Sequence, residues 1–584
     1  MGSAYRINFI NTLYATLWNN FCNTKRKTIC GFLPRHMSAP SSALSRTYTI
    51  LFILLVVLAT AACKQRKKSP ISGVSDDSFA EKLEALMKPF DTTGGKTPQA
   101  IAEHVRSVYQ SVDYEPLWVK ENHAPTADAN KLIAELEDMQ WDGFAPDRYN
   151  VKRIKELKIR LDTSRSKNLG EAVEFDTSLT HSYLAASKDL LFGTINPKKA
   201  DSLWYHVNDS VWNAPAMLAG AHGGYFPLDS FRSKVPTYAL LRNEYRLFSG
   251  LAADTQFTQA QATVHFVAQP DSETWYNMAY VIKAELPWLE TVENDTLTER
   301  QQMLLAFQRY RSLKATGKID SPTVAMLTMA PSEYMQKLRA NMERVRWMQQ
   351  QFGNQYIIVD VPLMEFFFRQ GDSTVMHMNV VVGKEIRQTP SLFANMANVV
   401  INPPWGVPPT ILKNDVLPGF QKSGGKYLAK KGLKAYDHDG NLVNVSRINT
   451  KNYKRFTFKQ APGDDNALGY VKFNLPNKWD IYLHDTPHRG DFNKRDRALS
   501  SGCIRLSRPQ DLAIFILGEL EKRNYTQGRL DSIIATHKTR WEILKNKIPV
   551  HITYLTAFED TTGTHLQFTR DIYHRDAKLM ALLP

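Results

Sequence analysis

The chain has 584 residues, more than a single hydrophobic core can serve, so two to four domains are expected. With 43% hydrophobic and 11% aromatic residues the chain should fold. The net charge of +15 would suggest a nucleic-acid partner, but residues 1–75 hold ten of the 73 Lys and Arg and no acidic residue, leaving 63 against 58 elsewhere. The basic excess belongs mainly to the leader, and no nucleic acid is expected.

Ile50 to Ala62, ILFILLVVLATAA, is an apolar run preceded by Arg46 and closed by small residues before Cys63. Thirteen residues suit a signal-peptide core and fall short of a membrane span. Leu58-Ala59-Thr60-Ala61-Ala62-Cys63 resembles a bacterial lipobox, which implies lipidation of Cys63 as the new N-terminus. The alternative is a single uncleaved N-terminal anchor. The basic cluster Lys64, Arg66, Lys67 and Lys68 would then lie on the wrong side for the positive-inside tendency. A start at Met37 would give a leader of ordinary length and leave Cys22 and Cys30 without a role. The polar stretch after Cys63 reads as a tether, so residues 1–75 form leader and tether.

Residues 76–286 are expected to be a helical scaffold: AEKLEALMKPF, AIAEHVRSVYQSV, ANKLIAELEDMQ and SLTHSYLAASKDLLFG space apolar residues three and four apart. Residues 287–331 read as two helices and a turn, with Asp320 and Ser321 capping a helix that begins at Pro322. LLAFQRYRSLKATGKIDSPTVAML there resembles the peptidoglycan-binding domain pattern through Phe307, Gln308, Gly317, Asp320, Thr323 and Leu327. The competing reading is a small helical module without a binding role. A connecting helix over 332–353 follows.

From residue 354 strand patterns take over, beginning with YIIVDVPLMEFFFRQ and MHMNVVVG, with turn residues at Gly371-Asp372 and Gly383-Lys384. The four prolines of NVVINPPWGVPPT exclude a regular central strand throughout. Residues 411–455 are more polar and read as an insertion over a site. The expected fold class is multidomain α+β: helical scaffold, small helical module, and a mostly β domain over 354–575.

The body of the chain keeps one thiol, Cys503, nineteen residues after His484. A single Cys is more often a small buried hydrophobe than a catalyst. Here Ser500, Ser501, Gly502 and Arg505 surround it with a small polar turn, which suits a nucleophile whose proton His484 accepts. Asp485 neighbours His484 but points to the opposite face of a strand, so a structural role is expected for it. His484 and His488 have HxxxH spacing, yet Pro487 argues against the helix a metal site would need, and neither metal nor cofactor is expected. Backbone N–H groups at Gly502 and Cys503 are candidate oxyanion donors, with Ser501 shaping the turn.

VVGKEIRQTP, NVVINPPWGVPPT, RFTFKQAPGDDNALGYVKFNLPN, IYLHDTPHRGDFNKRDRALSSGCIRL and PVHITYLTAFED together resemble the large L,D-transpeptidases of bacterial cell-wall synthesis. The resemblance implies acyl transfer through a Cys503 thioester with His484 as base, a periplasmic and membrane-anchored enzyme, and peptidoglycan stem peptides as partners. It further implies a tetrapeptide donor that loses D-alanine, a diaminopimelate amine acceptor, and a substrate lid at 411–455. Arg505, Trp405 and Tyr482 are candidate substrate-binding residues. Rival readings are an L,D-carboxypeptidase or endopeptidase using the same pair, attachment of a membrane protein to the wall, and a non-catalytic wall-binding lipoprotein. If His484 must be neutral, or pairs with the thiolate as an ion, acylation should fall at acidic pH.

Overall fold

A computed structural model describes residues 77–87, 98–163, 168–220, 227–267, 270–289, 297–449 and 451–584. Cys63 and the apolar run 50–62 lie outside the described residues. Among the described residues no helix is long and apolar enough to cross a membrane. Residues 76–584 form one compact unit.

The scaffold helices arise where the periodicity places them, among them Pro98–Ser111, Ala127–Asp138, Val151–Thr163, Leu169–Phe192 and Pro236–Ala253. Thr126, Asn168, Asp254 and Asp271 cap four helices with side-chain oxygens that accept from first-turn N–H groups. One buried carboxylate stitches the layer together: Asp176 accepts from Tyr109 Oη at 2.6 Å and from the Trp118 N–H at 2.6 Å.

Among the described residues fifteen strands follow in chain order: β1 (Trp204–Tyr205), β2 (Gln355–Asp360), β3 (Glu365–Gln370), β4 (Ser373–Gly383), β5 (Ser391–Ile401), β6 (Trp405–Gly406), β7 (Leu433–Tyr436), β8 (Thr457–Gln460), β9 (Val471–Asn474), β10 (Leu483–His484), β11 (Ala498–Ser500), β12 (Ile504–Leu506), β13 (Arg540–Thr553), β14 (Ala557–Glu559) and β15 (Leu566–Phe568). The main mixed sheet runs β1-β5-β13-β2-β3-β4-β12-β10-β9, and β9 also pairs with β5, so the strands close into a ring. Alternation sorts the side chains. Ile357, Val359, Phe366 and Phe368 join a cluster with Val380, Phe473, Leu483 and Ile504 on one face, which residues 509–520 complete through Leu512, Ile516 and Leu517. Ile358 and Phe367 point the other way, into a cluster shared with the helices Pro236–Ala253 and Pro331–Trp347. The helical layer also contributes β1, which pairs in parallel with β5 at Ser391 and Leu392, a contact that helical periodicity does not announce.

The two expected helices of the 287–331 unit are Leu297–Tyr310 and Ser321–Leu327, the second capped by Asp320, which accepts from the Thr323 N–H at 2.9 Å. The residues that carry its resemblance turn inward. Phe307, Gln308, Thr323 and Leu327 are fully buried, and Gln308 organises the turn by accepting from the Thr316 and Gly317 N–H groups and donating to Thr323 Oγ1 at 2.9 Å. Arg311 then locks the unit to the scaffold: its guanidinium meets Glu285 at 2.6 Å with neither side chain exposed. The unit is thus part of the main core.

The insertion is wider than 411–455. It runs from β6 to β8, pairs β6-β8-β7 as a separate small sheet, and carries helical segments between Pro409 and Lys430. Val416, Leu428, Leu433, Ala435, Ile448 and Phe458 give it a small core of its own.

Candidate active site

Register assembles the site. β10 and β12 run parallel, with Leu483 opposite Ile504 and His484 opposite Arg505; β9 lies antiparallel on the other side, placing Lys472 opposite His484. Leu483, Ile504 and Phe473 are buried in the ring cluster, so alternation turns His484, Arg505 and Lys472 to the other face. The Ile504 N–H donates to the Tyr482 carbonyl at 3.2 Å, which sets Cys503 beside Tyr482, with His484 at the next position on the same face. Such diagonal neighbours on adjacent strands are about 7–8 Å apart, so the two residues share a face. In the present conformation the half-buried Cys503 thiol, the one free cysteine among the described residues, donates to the Asp480 carbonyl at 3.5 Å.

The nucleophile turn is built by hydroxyls. Ser500 Oγ donates to the Cys503 carbonyl at 2.6 Å and accepts from the Gly502 N–H at 3.1 Å, while Thr389 Oγ1 donates to the Gly502 carbonyl at 2.8 Å. Gly502 has φ of +117°, a conformation that L side chains rarely adopt. Its N–H, a candidate oxyanion donor, is therefore already engaged by Ser500. Ser501 Oγ accepts from Arg387 Nη1 at 2.9 Å. The same guanidinium pairs with both carboxylate oxygens of Asp415, one of them at 2.8 Å, so a single Arg joins the segment between β6 and β8 to the turn that carries Cys503.

His484 is buried, and its Nδ1 lies 2.5 Å from the Asp485 carbonyl. With Nδ1–H donated there, Nε2 is left as the acceptor, and the orienting group that the sequence left unidentified is a backbone oxygen. Burial, reinforced by the charges of Arg505 and Lys472, drives the imidazole down to about 3. Burial also pushes the Cys503 thiol up, while Tyr482 and Lys472 pull it the other way. Both shifts favour thiol and neutral imidazole at neutral pH.

Asp485 has its structural role: it accepts from the Tyr470 N–H at 3.0 Å, the Thr486 N–H at 2.7 Å and Arg489 Nη1 at 3.1 Å. Arg505 Nη1 lies 3.3 Å from Asp491, a brace beneath the turn. His488 lies beyond the end of β10 and shares no helix with His484. Trp405 and Tyr482 line one groove of about 390 Å³ together with Asn398, Lys472 and Asp480. The Tyr482 phenol titrates well above its ordinary value because it is buried and faces the Cys503 sulfur.

Lys472 escaped sequence reasoning. Its Nζ sits 4.0 Å over the Tyr482 ring, and its only sequence signal is a lysine at an alternate position of the strand VKFN.

Comparisons with known proteins agree with this geometry. The family model of the YkuD L,D-transpeptidase catalytic domain matches residues 354–537, and that of a Scaffold domain matches residues 103–244. A Haemophilus influenzae protein named "Putative L,D-transpeptidase" is 35% identical over 297 residues, which is 50% of this chain and 58% of that protein. A solved structure entitled "Structure of the Ldtfm-avibactam carbamoyl enzyme" covers 48% of this chain and 99% of its own at 8% identity, with a TM-score of 0.17 that carries no weight. The family match at 354–537 spans every residue of the outward cluster from Lys472 to Arg505, so the chain carries an L,D-transpeptidase catalytic domain, preceded by a scaffold domain.

Proposed function

We propose that this protein forms 3→3 cross-links between peptidoglycan stem peptides through a thioester on Cys503, releasing D-alanine. The observation that supports it best is the shared face of Cys503, Tyr482 and His484 beside the groove that Trp405, Lys472 and Tyr482 line. His484 Nε2 takes the thiol proton as sulfur attacks the carbonyl between diaminopimelate and D-alanine. The tetrahedral oxyanion forms beside the Cys503 N–H, and fixed donors of this kind contribute a few kcal/mol each. Collapse breaks the C–N bond, and His484 returns the proton to the departing amine.

The side-chain amine of a second stem then attacks the thioester and gives a proton to His484. The C–S bond breaks, and the thiolate is reprotonated. The insertion with its Arg387–Asp415 link is suited to exclude water from this second step. The leader and lipobox-like Cys63 support a periplasmic location with membrane attachment, where these substrates are found.

Disaccharide-tetrapeptides given to the purified protein test the reading. Cross-linked dimers are expected, and exclusive tripeptide would mean that water, rather than an amine, is the acceptor. Intact-mass measurement with a carbapenem should show a covalent adduct that Cys503→Ala abolishes; an adduct surviving in that variant would remove Cys503 from the mechanism.

A further inference from the structure

The thiolate formed during acylation needs a positive charge near it, and the neutral, buried His484 does not hold one before proton transfer. The groups that act on the sulfur are Tyr482 just before β10, Lys472 on β9, Arg505 two residues along on β12, and Asp480 in the loop before β10, with His484 on the same face of β10. Arg505 is already paired with Asp491, and Asp480 carries the wrong sign. Lys472 remains. It is half-buried, and among the described residues no carboxylate lies within ion-pair distance of it. Its ammonium rests on the face of the Tyr482 ring at 4.0 Å, an attraction that fixes a flexible side chain in place.

Half-burial disfavours the Lys472 ammonium, and Asp480 offsets this only from beyond ion-pair distance, so an anion formed during function would stabilise it further. Here the anion that forms is the sulfur, since Cys503 lies beside the same Tyr482 and interacts electrostatically with Lys472. Resting on Cys503 as the nucleophile, we propose that Lys472 is an electrostatic positioning residue that stabilises the Cys503 thiolate, with Tyr482 as the platform that aims it. His484 moves the proton, and Lys472 holds the charge.

The test is the pH dependence of Cys503 alkylation by iodoacetamide, which needs no peptidoglycan substrate and so fails or succeeds separately from the proposed reaction. An opposite charge within about 4–6 Å typically moves a titration by about one unit or more. Lys472→Met should raise the alkylation midpoint by about one pH unit, slowing alkylation at pH 7 about tenfold, whereas Lys472→Arg should stay close to the wild type. Lys472→Gln supplies the same neutralisation should the Met variant fold poorly, with melting temperature as the check. An unchanged midpoint in both neutral variants overturns the proposal. So does an unchanged midpoint with a raised KM for the donor peptide, because Lys472 would then be anchoring a substrate carboxylate.

Discussion

Replacing Gly502 by Ala probes whether the nucleophile turn is held by backbone conformation. A Cβ there would meet only Ile481 Cδ1 at 3.7 Å, Gln388 O at 3.8 Å and Arg387 O at 3.9 Å, so there is room for the methyl. The cost lies in φ, +117°, where a non-glycine residue pays about 1–3 kcal/mol. The turn is pinned on both sides by Ser500 Oγ and Thr389 Oγ1, which leaves two responses. Either the strain stays in place and stability falls by that amount, or the turn rotates and Cys503 leaves its position beside Tyr482. Rotation gives up the two bonds to Gly502, about 2 kcal/mol, so strain at the upper end of its range exceeds them by about 1 kcal/mol and lowers the competent fraction about fivefold. Carbapenem acylation of Gly502→Ala, followed by intact mass, should slow by about fivefold, with the melting temperature changed by only a few degrees. An acylation rate within about twofold of the wild type, at equal melting temperature, would refute the claim that this φ holds the nucleophile.

Because His484 stays neutral down to about 3 and the thiol is raised, acylation should show no imidazole-dependent loss between pH 8 and 5 and should rise on the alkaline side; a chemistry-limited profile with an acid limb near 6.5 would contradict that assignment. Glu285→Ala strands the buried Arg311 and should destabilise the fold by about 3–5 kcal/mol in urea unfolding, with Arg311→Met in the same chain recovering part of the loss; a cost under about 1 kcal/mol would mean the 297–327 helices are not part of the main core. Asp415→Asn removes a partly exposed ion pair worth about 0.5–1 kcal/mol, so limited proteolysis within 409–430 should quicken about two- to fivefold while the melting temperature holds; no change would show that Arg387 does not restrain the lid.

Local signals were enough for several features. The alternation of YIIVD and EFFFRQ marks β2 and β3, Asp320 announces a helix start, and SSGC marks a turn that Ser500 ties together. These readings succeed because caps, turns and alternation act within a few residues along the chain. The 287–331 unit shows where such reading stops. Its two helices are legible, but the burial of Gln308 and the pairing of Arg311 with Glu285 depend on what packs around them.

By itself, then, the sequence determined the periods of the elements and the polar, glycine-containing turn that carries the thiol. Tertiary structure decided the rest. Lys472 faces the sulfur only because β9 pairs with β10 in one register, and a slip of one residue would turn it inward. His484 is oriented by the Asp485 carbonyl and held neutral by burial, and Arg387 reaches Asp415 across 28 residues of chain. Charge, solvation and register are set by neighbours far away in sequence, and those neighbours exist only once the strands have closed.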